Sequence, residues 1–157
     1  MTVSRLDPIE RGTRYAKSRN LTIEKEFGYG CDGFVFATNK STAVKSFRYP
    51  QLFQYELEIY DYLTEHRITS VDEFHIPELV SSDPGLCVIE MTIVSPPFVL
   101  DFVSARIETE VEYDEEWIAQ RMEEFESDWP TVRRVMLGMR QHGIHLVDVH
   151  PGNVRCR

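Results

Sequence analysis

Apolar positions recur along this chain in two periods. Leu21, Ile23 and then Phe27 alternate through "LTIEKEF", which predicts a strand over 21–27. "FVFAT" (34–38) and "TAVKSF" (42–47) are rich in β-branched and aromatic residues, and "NKS" between them has turn chemistry, so two further strands follow. From Pro50 the period changes. Leu52, Ile59 and Leu63, with Phe53, Leu57 and Tyr60 alongside, predict a helix over 50–66. "RITSVDEFH" reads as a connector. "IPELVSS" and "LCVIEMTIV" read as two more strands joined by the "DPG" turn at 83–85.

"SPPFVL" (95–100) is a proline-braked linker. Beyond it, Ile118, Met122, Phe125 and Trp129 share one helical face. A second helix is predicted over 129–144, with Pro130 near its start, Val132, Val135, Met136 and Met139 as its buried face, and Gly143 at its stop. Residues 1–20 are polar and locally basic, either an arm or a short docked helix. The segments are therefore an N-terminal arm (1–20), a first region (21–94), a linker (95–100) and a second region (101–157). Strands and helices follow each other without a βαβ repeat, which gives the α+β class.

Composition narrows the functional classes. The 157 residues carry 26 acidic and 17 basic side chains, a formal charge of −9, which argues against a nucleic-acid surface. The first twenty residues lack the apolar core of a secretory signal, and no run is long enough to span a membrane. Cys31, Cys87 and Cys156 are scattered, which suits a reducing, cytoplasmic setting and offers no zinc spacing. Between 107 and 128 there are ten acidic residues, read as a solvated helix surface.

Candidate chemistry begins at "GYGCDGFV". Gly28, Gly30 and Gly33 have the G-x-G-x-x-G spacing, either a phosphate loop or a plain hairpin turn. A dinucleotide fingerprint needs a helix after its glycines, and here a strand follows. Glu56 falls on the apolar stripe of its helix, where a carboxylate is costly without a cation. Ala43 and Lys45 point to one side of their strand.

Taken in order, "GYGCDGFV", "TAVK", "YELEIYDYL" and "LVDVHPGN" resemble the motifs of the protein-kinase-like superfamily, in the wording of its small-molecule and atypical branches such as aminoglycoside kinases. The resemblance runs from about Leu21 to Val154. It implies a small lobe, with a five-stranded antiparallel sheet and one helix, followed by the short helical start of a large lobe. It implies ATP and Mg²⁺ as cofactors. Gly28, Gly30 and Gly33 would approach the phosphates, Val35 and Ala43 would cover the base, and Lys45, held by Glu56, would grip the α- and β-phosphates. Glu90 and Met91 would offer backbone hydrogen bonds to the base edge. Asp148 would be the catalytic base, and Asn153, five residues on, a metal ligand.

Leu146 and Val147 stand where protein kinases carry His and Arg, and Arg157 precedes the place of the family's D-F-G aspartate. The expectation is thus a kinase-like chain truncated after its catalytic loop, weakly active or inactive alone. The alternative is a pseudokinase or interaction module acting through a protein partner. Truncation would also leave Val132, Val135, Met136 and Met139 in need of partners, which predicts self-association.

Overall fold

The alternation in "TAVKSF" becomes a strand whose two sides are both covered, and the first half of the fold is built around it. The structure, a computed structural model, describes residues 5–29, 32–95, 97–102, 105–107 and 110–157. In chain order the elements are α1 (Pro8–Ser18), β1 (Ile23–Tyr29), β2 (Gly33–Thr38), β3 (Thr42–Phe47), α2 (Pro50–Glu65), β4 (Ser70–Val71), β5 (Phe74–His75), β6 (Leu79–Asp83) and β7 (Val88–Thr92). There follow β8 (Val99–Leu100), β9 (Arg106–Ile107), α3 (Glu115–Phe125), a 3-10 turn (Glu126–Asp128), α4 (Trp129–Gln141), β10 (Ile144–His145) and β11 (Val154–Arg155). They fall into two units, 1–61 with 77–93, and 62–76 with 94–157.

The first unit is an antiparallel sheet of five strands in the order β1-β2-β3-β7-β6. Residues 8–18 are a helix that docks on it. Asp7 starts α1 with a capping box, its carboxylate accepting from Glu10 N at 2.9 Å while Glu10 accepts from Asp7 N at 3.1 Å. Tyr15 and Ala16 pack on Phe34, Phe36, Val44 and Val88. Gly12 lets the helix come close, since a Cβ there would meet the Phe36 ring at 2.9 Å. Arg11 is buried and donates to the carbonyls of Leu6, Leu86 and Phe47 at 3.0, 2.7 and 2.6 Å, joining the helix start to two strand ends. α2 covers the other face, with Phe53 against Phe47 (ring centroids 5.8 Å apart) and Tyr60 Oη donating to Met91 Sδ at 3.1 Å.

The second unit holds α3 and α4 with two small sheets, β10-β9 and β11-β8-β5-β4, in which β5 and β8 run parallel. The β4–β5 hairpin lies in the segment expected to be only a connector. Strands of two residues are too short to show a period.

One expectation is overturned. Val132, Val135 and Met139 are fully buried and Met136 is half-buried, so the α4 face already has partners in this chain and gives no ground for self-association. Met122, expected on the apolar face of α3, is exposed, whereas Phe125 is buried.

Candidate functional site

Lys45 sits at the middle of β3, opposite Val35 of β2 and Ile89 of β7. Strand alternation puts it with Ala43 and Phe47 on the α2 face. Glu56 comes from the second turn of α2, between the buried Phe53 and Ile59. Their side chains meet at 2.7 Å, Lys45 Nζ donating to Glu56 Oε2, and both are buried. Lys45 Nζ also lies 4.9 Å from the centroid of the Phe47 ring. The carboxylate on an apolar stripe thus has the cation it needs.

Gly28 lies in β1 and Gly33 in β2, and Gly30 falls outside the described residues. The two described glycines differ physically. Gly33 has φ +144°, and a Cβ there would lie 1.9 Å from the Ser46 carbonyl oxygen. Its need for glycine therefore comes from strand crowding, independent of any ligand. Gly28 is exposed, with open space where a Cβ would stand.

Glu90 and Met91 need a correction. Both lie inside β7 between two strands, Glu90 opposite Val44 and Ser81, Met91 opposite Ala43 and Leu79. Backbone groups at such positions serve the ladders rather than a base edge. The Glu90 side chain turns instead to the α1 face. It accepts from Tyr15 Oη and Thr42 Oγ1, each at 2.8 Å, and Arg19 Nε lies 3.7 Å away. Burial, reinforced by the neighbouring Glu90 carboxylate, pushes the Tyr15 hydroxyl up to about 12.

In the second unit, Asp148 and Asn153 belong to one tight loop. Asn153 Nδ2 donates to the Asp148 backbone carbonyl at 3.0 Å and to its Oδ2 at 3.2 Å. The loop is closed by Asn153 N and Val154 N, which both donate to the His150 carbonyl, and is tied to β8 by the Val154–Leu100 pairing. Asn153 is buried, whereas Asp148 is exposed.

Sequence reasoning missed three supports of this loop. His150 Nδ1 accepts from Gly152 N at 3.0 Å, which leaves Nε2 as the protonated nitrogen of the neutral ring, 3.7 Å from Asp148 Oδ1. Arg121 of α3 donates to the Val149 carbonyl at 3.2 Å, and Tyr113 Oη donates to the Leu146 carbonyl. Only His150 left a signal, its position two residues after Asp148.

The oxygens of Asp148 and the Oδ1 of Asn153 are hard donors that suit Mg²⁺. Among the described residues, no three His, Cys, Asp or Glu side chains converge on a common point. Nor is any helix of the described residues long and apolar enough to cross a membrane.

No family model and no curated protein matches the chain. Among solved structures, the streptomycin–ATP–APH(2'')-IIa ternary complex is similar to it, with a TM-score of 0.42 and 19% identity, over 60% of this chain and 31% of that one.

Proposed function

We propose that the chain is a kinase-like, ATP-binding protein of the phosphotransferase type. The observation that carries this reading is the buried Lys45–Glu56 pair on one face of an antiparallel sheet, 2.7 Å between the charges. Holding a lysine buried at a sheet centre has an energetic cost, and its use is to present a fixed cation to phosphate oxygens. Val35, Ala43 and Met91 share that face and supply an apolar surface for a base. Gly28, with Gly30 and Gly33, is the candidate phosphate loop. Asp148 is the candidate base for an acceptor hydroxyl, aimed by Asn153 and His150. A Mg²⁺ ion, taken by Asp148 and Asn153, would supply neutralisation of phosphate charge. The free thiols of Cys87 and Cys156 suit the cytoplasm.

A second reading, nucleotide binding without turnover, is favoured by one specific feature. Asp148 Oδ2 already accepts from Asn153 Nδ2 at 3.2 Å, so one lone pair of the candidate base is committed within the chain.

Calorimetric titration with ATP, with and without Mg²⁺, tests both. The variants are Gly28→Ala and the charge-balanced double variant Lys45→Met/Glu56→Leu, with a thermal melt to confirm folding. Binding lost in the folded double variant is expected. Undiminished binding there would overturn the site. Mg²⁺-dependent phosphate release that Asp148→Asn abolishes would select the enzyme over the second reading.

A further inference from the structure

The second unit carries a groove that the Lys45 and Asp148 chemistry does not use. It lies among α3, α4 and β10 and encloses about 110 Å³. Tyr113, Trp117 and Trp129 give it flat aromatic walls, and Met136 and Leu137 of α4 complete the apolar lining. Trp117 is held in place, stacked on Tyr113 with ring centroids 4.2 Å apart and with the Arg121 guanidinium 5.1 Å from its ring.

Three nitrogen-bearing side chains, Arg133, Arg140 and His145, face the same space. His145 is only 8% exposed, and among the described residues its ring has no hydrogen-bond partner. Its ring nitrogens are not fully enclosed, so they can bond a molecule seated in the groove. Arg133 has no carboxylate partner among the described residues. The carboxylate nearest Arg140, on Glu110, is 3.7 Å away on a side chain 79% exposed, a contact that water screens. Arg133 and Arg140 thus place two guanidinium groups beside one apolar slot.

We propose that this groove binds a small organic anion with a flat apolar body, of the aromatic carboxylate class. The ring lies between the tryptophan walls. The carboxylate meets the Arg133 and Arg140 forks, whose planar geometry matches it, and takes the His145 N–H.

Trp117 and Trp129 are the two tryptophans of the chain, and both line the groove, so intrinsic fluorescence reads it directly. The test titrates the whole chain with phenylacetate and with its neutral analogue phenylacetamide. A saturable tryptophan response to phenylacetate is expected, weakened about tenfold for the amide and in Arg133→Gln or Arg140→Gln, because each change removes a charge-assisted hydrogen bond. Both arginines are exposed, so these variants keep the fold, as circular dichroism would verify. No saturable response at millimolar phenylacetate overturns the proposal. So does equal binding of the amide, or wild-type affinity in both variants. A tryptophan signal that follows protein concentration instead of phenylacetate would also overturn it, and would identify the groove as a contact between copies.

Discussion

Lys45 Nζ and Glu56 Oε2 stand 2.7 Å apart with side chains 9% and 6% exposed, an ion pair almost closed off from water. Removing one charge leaves the other buried without this partner. Lys45→Met or Glu56→Gln alone should therefore lower the unfolding free energy by about 3–5 kcal/mol. The double variant Lys45→Met/Glu56→Leu should recover most of that loss, because neither charge then has to be desolvated. Urea midpoints of the three variants decide the matter. A double variant as unstable as the worse single one would mean that the pair contributes net stability and need not be kept for function.

The two described glycines of the G-x-G-x-x-G run should respond oppositely to alanine. At Gly33 the backbone has φ +144° and a Cβ would lie 1.9 Å from the Ser46 oxygen, so Gly33→Ala should cost at least about 2 kcal/mol. At Gly28 nothing lies within 4 Å of an added Cβ, and the change should stay within about 0.5 kcal/mol. Thermal melts measure both. Similar losses at the two sites would contradict the strand geometry. With the fold kept in Gly28→Ala, a loss of ATP binding would report on the proposed phosphate loop.

Some of these relationships were legible in the sequence for a simple reason. A carboxylate on the stripe of Leu52, Ile59 and Leu63 needs a cation, and the alternation of "TAVKSF" brings Lys45 to one face. The Asp148–Asn153 contact follows from a Pro-Gly turn that folds a short segment back on itself. Glu90 was not legible. Helices cover both faces of the sheet, so every residue of β3 is buried and burial no longer tells which side a β7 residue faces. Arg11 lies in the basic 1–20 segment, arm or docked helix, with no sign of its role, since its three carbonyl partners at 6, 47 and 86 are remote in sequence or carry no side-chain signal. Gly33 matched a phosphate motif by spacing, while its backbone requirement arises from the neighbouring strand.

The Tyr15–Glu90 contact predicts a pH dependence at the alkaline end. The Tyr15 hydroxyl, raised to about 12 by burial and by Glu90, holds its proton more tightly in the folded chain than in the unfolded one, where its ordinary value is 10.0. Its contribution is thus fully present below pH 10 and is lost as pH rises from there through about 12. Tyr15→Phe should cost about 1–2 kcal/mol at neutral pH, because Glu90 loses a buried donor. It should also flatten the alkaline fall in stability. Denaturant melts from neutral pH to pH 11 in both proteins provide the comparison, and parallel curves would remove Tyr15 as the titrating group.

Asn153 bonds Asp148 through its amide nitrogen, at 3.0 Å to the carbonyl and 3.2 Å to Oδ2, and only a donor can occupy that place. Asn153→Asp would set two carboxylates against each other. Like charges this close raise the pKa of one above its unfolded value near 4. A raised group stabilises the fold below its unfolded pKa and loses that contribution as pH rises through the folded value. The Asp148 side chain is 45% exposed, so water screens the repulsion and the penalty at neutral pH should be about 1 kcal/mol beyond that of Asn153→Ala. At acid pH, where one carboxylate is protonated and can donate, the aspartate variant should match or exceed the alanine variant. Urea midpoints at about pH 4 and about pH 7 test this, since the first lies within the carboxylate range and the second above it. If Asn153→Asp keeps the same offset from Asn153→Ala at both values, the Asn153–Asp148 bond does not set the loop, and Asp148 is aimed by His150 or by the backbone turn instead.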